Sequence, residues 1–403
     1  MFRIRRAKLD DVPMLLKLAK MVHFINLPPD KDIIQAKIVH SRNSFLKVCG
    51  SKRRPDPEPT PPGVVEAHAP GIALSGFGTS AHESDLFMVV LEDLESGAVL
   101  GTSQAISRMG GPGNPQVSLK LSERDYFSTS LQTGTKHMVA QLHLDESGPS
   151  EIGGLILQPS YRGHKEKLGR FLSMIRFQLM GLYPKRFAPR VLAEMMAPVT
   201  SDGHNLVWDY LGRRFIPLSY DEADRFCQYS REFITSLLPR EPIHLSLLPP
   251  TARAGIGEVG EDTKPARRML ERLGFEFRGY VDPFDGGPYL DCPTADIAPV
   301  RATSKATLGE PVPAAKAKTR CMVSTIDTDG EFRAIDQPVF LGPKSRVGLT
   351  KAAMAALEVE PGAAIGVTPF TPPAIPIGKA AAGSSAERTK RPAGKKKSRA
   401  RSA

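Results

Sequence analysis

Apolar and polar positions repeat at two periods along the chain, and the switches between them predict an ordered series of strands and helices. FRIRRA at 2–7 reads as a strand, and Asp10 suits the N-cap of a helix whose apolar residues Val12, Leu15, Leu16 and Ala19 share one face. A second helix is expected after LPPDKD, running to about Phe45. LFMVVLED and AVLGTSQAI flank the turn LESG as a hairpin, and KHMVAQLHL and EIGGLILQP read as two more strands. After QPSYRGHKEKLGR, the residues Leu168, Phe171, Leu172, Ile175, Leu179 and Leu182 recur at the spacing of one helix face. RVLAEMMA has the pattern of a buried strand. NLVWDYLGRRFIPLSY reads as a helix ending at Gly212 and then a strand, with further helices at about 221–237 and 264–273. Beyond Pro299 the pattern shortens to small strands, with a hairpin in CMVSTIDTDGEFRAI turning at Asp329-Gly330.

This order predicts an α/β fold, a mixed sheet that helices must cover on both faces. Residues 1–298 form its body, interrupted at 51–83 by a proline-rich insertion without hydrophobic period. A small β-rich segment follows at 299–370, and then a basic tail at 371–403. From Lys379 onward there are nine Lys/Arg and one Glu, so +8 of the net charge of +11 lies in the tail and about +3 in the rest. Its Ala/Gly/Ser/Lys composition buries too little apolar area to fold, so disorder is expected there. Such a tail is a solvated appendage, or it makes non-specific contacts with nucleic acid.

Apolar content of 41% and charge of 24% are those of a globular protein. No apolar run approaches the length of a membrane span, and MFRIRRAKLDD lacks the apolar core of a signal peptide. The four cysteines, Cys49, Cys227, Cys292 and Cys321, include no C-x-x-C pair, which speaks against a disulfide scaffold or a zinc site. A cytoplasmic protein without a metal is therefore expected.

The loop 158–170 carries the most chemistry. A helix N-terminus offers unpaired N–H groups and a positive field, which suit a phosphate. Arg162, His164, Lys165 and Lys167 add charge, and Gly163 and Gly169 allow close approach of the backbone. The plainer reading is a basic surface turn. Glu194 stands inside an apolar run, where a carboxylate needs a partner or a role near a substrate amine. Asp282 and Asp285 suit either a guanidinium or the capping of a glycine-rich turn, and His244 either proton transfer or a structural hydrogen bond.

The segments YRG and LGRFL behind an apolar strand resemble the pyrophosphate loop of the GNAT acyltransferases, with Lys167 where glycine is usual. More of the chain resembles one family in that superfamily, the arginine N-succinyltransferases. IRRAKLDDVPMLLKLA, FMVVLEDLESGAVLGTSQAI, LILQPSYR, VLAEM, WDYLGRRF and PARRMLERLGFEFRGYVDPFDGGPYLDC match it in order, over residues 1–370 outside the insertion. DPFDGGPYLDC is the most specific of them. The resemblance implies a GNAT-like mixed sheet, succinyl-CoA as co-substrate, and transfer of succinyl to the α-amino group of arginine. It also implies a homo- or hetero-oligomer. It matches Leu155 to succinyl-CoA binding and Glu194 to a family glutamate; together with the residue chemistry above, the cofactor is expected at Leu155, Ile156, Leu157, Arg162, Gly163, Gly169 and Arg170, catalysis at Glu194 and His244, and substrate contacts at Asp282 and Asp285.

Three positions depart from the family. Gly260 stands where its proton-donating histidine is expected, Met196 where the family has arginine, and Thr200 where it has aspartate. Two other readings follow from these departures: a catalytically silent subunit of a hetero-oligomer, or an acyltransferase with another amine acceptor.

Overall fold

The computed structural model describes residues 1–21, 27–57, 84–200, 203–227, 231–343 and 345–370. The expectations for most of the insertion at 51–83 and for the tail at 371–403 therefore lie outside the described residues.

Among the described residues, fifteen strands form one sheet: β1 (Phe2–Arg6), β2 (Leu86–Asp93), β3 (Val99–Ile106), β4 (Gln116–Ser128), β5 (Thr133–Asp145), β6 (Ser150–Leu157), β7 (Arg190–Glu194), β8 (Ile243–His244), β9 (Glu276–Val281), β10 (Pro288–Pro293), β11 (Ser304–Leu308), β12 (Thr319–Ile326), β13 (Phe332–Leu341), β14 (Arg346–Gly348) and β15 (Ala364–Pro369). Their spatial order is β12-β15-β11-β14-β13-β1-β2-β3-β6-β7-β10-β9-β4-β5-β8. The pairings are antiparallel except β6–β7 and β11–β14, so the sheet is mixed, as expected. β13 pairs with β1 through Ile4↔Ala334, which joins the C-terminal strands to the body.

Both faces are covered. α1 (Val12–Lys20) and α2 (Lys31–Cys49) pack Leu15, Leu18, Ile34 and Ile38 onto Met88, Val90 and Ile156. α3 (Leu168–Leu182) buries Phe171, Leu172, Ile175 and Leu179 on the opposite face, against Val89, Ile152, Val191, Ala193 and Leu290. Each such leucine or phenylalanine contributes about 2 kcal/mol of burial free energy. Among the described residues no helix is long and apolar enough to cross a membrane.

Three local expectations change. Asp10 is not the N-cap: a 3-10 turn, Leu9–Asp11, precedes α1, and Asp11 stands at the cap. The Asp11 carboxylate accepts from Lys8 N–H at 2.8 Å and pairs with Arg5 at 2.8 Å. No strand follows Gly212. The helix continues through a π turn, Trp208–Gly212, into Arg213–Phe215, and the chain then enters α4 (Tyr220–Cys227). The buried Trp208 ring stacks on Phe284 with centroids 4.9 Å apart, and its Nε1–H donates to Leu218 C=O at 3.1 Å, which ties this segment down locally. Ser219 and Glu222 then form a capping box: Glu222 N–H donates to Ser219 Oγ, and Ser219 N–H to Glu222 Oε2. Finally, β4 lies in a stretch with no predicted element, where it forms a thirteen-pair hairpin with β5.

Candidate active site

β6 and β7 run parallel but pair only at Ser150↔Val191 and Glu151↔Leu192. β6 continues beside β3 to Leu157, and β7 beside β10 to Glu194. The two strands thus separate beyond Ile152, and along that edge β6 has no strand beside it among the described residues. A bulge accompanies the separation. The β3–β6 register shifts between Thr102 and Gln104, and Gly154 has φ +55°. A Cβ at Gly154 would lie 2.6 Å from Gln104 Nε2, and together with the positive φ this favours glycine there. The bulge explains why Ile152 and Leu155, three positions apart, both pack towards α3 while Ile156 turns to α1 and α2.

β6 leads directly into the basic loop. Gln158 N–H donates to Leu100 C=O at 2.9 Å, Pro159–Tyr161 form a 3-10 turn, and Gly163 takes φ +75°. The loop ends on Lys167 in the left-handed conformation, φ +55° and ψ +45°. Glycine, which enters this region without strain, would suit the position. Phe171 N–H makes the first bond of α3, to Lys167 C=O at 3.1 Å, so the amides of Leu168, Gly169 and Arg170 form its open end. The exposed Arg162 pairs with Asp262 at 3.1 Å, linking this loop to the turn that carries Gly260. Arg170 lies over the Phe370 ring, 4.4 Å from its centroid.

The face of the sheet away from α3 carries charge. Val191, Ala193 and Met195 enter the core, so Leu192 and Glu194 point to the other side, as does Glu151 beside Ile152. Glu151 is wholly buried and faces the ammonium of Lys37 from α2. Burial lowers Lys37 to about 8. Glu194 Oε1 accepts from Gln116 Nε2 at 2.6 Å, and Gln116 Oε1 accepts from Arg231. Burial, then the charges of Glu151 and Asp282, hold the Glu194 carboxyl well above the ordinary glutamate range. Asp224 on α4 belongs to the same group and is pushed up to about 7, first by burial and then by Asp282 and Asp221.

Asp282 and Asp285 sit in the β9–β10 turn with their oxygens engaged inside it. Asp282 Oδ1 accepts from Phe284 N–H at 2.7 Å and Asp285 N–H at 3.0 Å, and Oδ2 from Tyr289 Oη at 2.8 Å. Asp285 accepts from Gly287 N–H at 2.7 Å and Ala197 N–H at 2.9 Å, which fastens the turn to the end of β7. Burial raises Asp285 to about 8. A Cβ at Gly287 would lie 2.0 Å from Met195 C=O, which explains the glycine in this closely apposed turn.

Of the expected residues, the structure groups Leu155, Ile156, Leu157 and the loop on one side of the strand separation, and Glu194, Asp282 and Asp285 on the other. His244 stands apart. It pairs with Val139 across β8–β5 and lies 3.4 Å from Tyr126 Oη. Val139 pairs with Ser122 on β4, six residues along from Gln116, or about 20 Å of strand. Gly260 is next to the site: its N–H donates to Met196 C=O at 3.1 Å, and its φ of −59° and ψ of 154° suit any residue. Gln116, Glu151, Lys37, Asp224 and Arg231 were not legible as site residues, since four separate elements and a loop bring them together.

A family model described as arginine N-succinyltransferase beta subunit matches residues 73–299, more than half of the chain. The chain belongs to the arginine N-succinyltransferase family. It is 34% identical over 259 residues to the arginine N-succinyltransferase of Enterobacter sp. (strain 638), covering 64% of this chain and 74% of that one. The corresponding protein of Salmonella paratyphi B is 34% identical over 278 residues, 68% and 79% of the two chains. The solved structure of arginine/ornithine succinyltransferase subunit AI from Pseudomonas aeruginosa superposes with a TM-score of 0.69 at 25% identity, over 91% of this chain and 98% of that one. In this arginine N-succinyltransferase-family chain, DPFDGGPYLDC is thus the turn that anchors the end of β7, and LILQPSYR the strand and loop that lead into α3.

Proposed function

We propose that this chain transfers the succinyl group of succinyl-CoA to the α-amino group of arginine, by direct attack of the amine on the thioester. The observation that carries this reading is the separation of β6 from β7, with an open helix N-terminus on one side and a buried carboxylate face on the other. The same reading treats the sheet as GNAT-like and the protein as cytoplasmic.

The CoA pyrophosphate sits at the amides of Leu168, Gly169 and Arg170, with Arg162 and Arg170 supplying charge and Gly163 the turn. The pantetheine follows the free edge of β6 at Leu155–Leu157, where a main-chain N–H can stabilise the oxyanion. An α-amino group with pKa ~8 is mostly protonated at neutral pH and must lose a proton before it attacks. Glu194 accepts that proton: its raised affinity brings a carboxylate closer to the range where such transfer is efficient. The amine lone pair forms the C–N bond, the C–S bond breaks, and the departing thiolate takes up a proton. Asp285 positions the end of β7 through Ala197, and Asp282 holds the turn that carries it. His244 has no part in this mechanism.

The test is release of CoA thiol from purified protein across pairs of basic amino acids and short acyl-CoAs. Succinyl-CoA with arginine is expected to give the fastest release. No release from any pair overturns the reading.

A further inference from the structure

The carboxylates of the buried face are not equivalent. Both oxygens of Asp282 and both of Asp285 are engaged by main-chain amides or by Tyr289. Glu194 is held by Gln116, and Glu151 faces Lys37. The Asp224 Oδ1 is shut off from solvent and has no hydrogen-bond partner among the described residues. It stands on α4 within the field of Asp282 and Asp221 and of the cations Lys37 and Arg231. Five carboxyls gather here with two cations, Lys37 and Arg231.

A buried carboxylate oxygen without a partner is costly, and a planar guanidinium with its fork of N–H donors is a group that satisfies it. Asp282 and Asp285, the aspartates that the sequence pattern offers for this role, already have both oxygens engaged in building the turn.

We propose that Asp224 is the specificity-determining residue that receives the side-chain cation of the acceptor. The proposal rests on the reading of this face as the acceptor side of the transfer site. Arg231, held through Gln116, then serves to keep Glu194 in place and not to bind the acceptor.

Citrulline matches arginine in shape and lacks the charge, so the pair isolates the contact. Binding to the full-length protein, saturated with free CoA, is measured by calorimetry for arginine and citrulline, in wild type and in Asp224→Asn. The wild type should bind arginine about 10- to 100-fold more tightly, the ratio expected of a charged hydrogen bond. Asp224→Asn should bring the two ligands within a few-fold of each other while citrulline affinity holds.

An unchanged preference in Asp224→Asn overturns the proposal, and so does a wild type that binds both ligands equally or neither. Equal loss of both ligands in a folded variant assigns Asp224 a structural role and also overturns it. If Asp224→Asn does not fold, Asp224→Glu makes the test: a carboxylate moved by one methylene should lower the preference, and an undiminished preference counts against the proposal. Because the readout is binding, a wild type that prefers arginine but releases no thiol would sink the transferase reading and leave this one standing.

Discussion

Replacing Asp224 with asparagine should stabilise the protein, and by more at alkaline than at acid pH. Burial and the neighbouring negative charges raise this carboxyl from 3.8 to about 7. The folded state therefore holds the proton more tightly than the unfolded chain. The group's favourable contribution is complete below the unfolded value and is lost as the pH rises through about 7. A shift of about three pH units at about 1.4 kcal/mol each makes the ionised carboxylate cost about 4 kcal/mol above pH 7. Between about pH 5.5 and 8.5 only the portion up to 7 is traversed, about 2 kcal/mol. Asparagine keeps the shape and carries none of this slope. Urea unfolding of both proteins at these two pH values measures the difference, with the slope m checked for constancy. The advantage of the variant should grow by about 2 kcal/mol from the lower pH to the higher. An advantage that stays constant or shrinks would refute the claim that this carboxylate is buried without adequate compensation.

Glu194→Gln retains an oxygen to accept from Gln116 and loses the base, so turnover should fall about 10²- to 10⁴-fold with little change in the KM for acyl-CoA. A variant with near-normal turnover removes Glu194 from catalysis. Gly260→His should fold, because its Cβ would lie 3.4 Å from Ala197 C=O and the backbone angles are ordinary. Its turnover should rise and its pH–rate profile should gain a limb near ~6.5; an unchanged profile means the missing histidine does not limit the rate. Lys167→Gly relieves a left-handed backbone that costs about 1–2 kcal/mol, offset in part by the greater freedom of glycine in the unfolded chain. Thermal unfolding should show a gain of up to about 1 kcal/mol, and a loss would argue against strain at this turn.

The chain announced its regular elements wherever one face is apolar throughout. α3 was legible because Phe171, Leu172, Ile175 and Leu179 are all core residues, and the hairpin β2–β3 because both strands are buried along most of their length. β4 was missed because only its first half, with Val117, Leu119 and Leu121, alternates against a core, while SERDYF extends into solvent. The strand expected after Gly212 failed for a related reason: the apolar run FIPL is short, contains Pro217, and is followed by a capping box that commits the chain to α4.

Half of the candidate site could be read in advance. Glu194 stood out as a charge in an apolar run, and the loop as a strand-to-helix junction rich in glycine and cations. Asp224, Lys37, Arg231 and Gln116 each look like ordinary helix, loop or strand residues. Their burial depends on which elements meet, and no local pattern records that. Asp282 and Asp285 were visible, but their hydrogen bonds to the main chain could be known only from the turn they build.

The central claim is most directly tested by identifying the product. Purified full-length protein incubated with succinyl-CoA and arginine should yield arginine succinylated on its α-nitrogen, located by fragmentation in the mass spectrometer, in step with CoA thiol release. Thiol release without that product, or succinyl found on the guanidinium, would contradict the account.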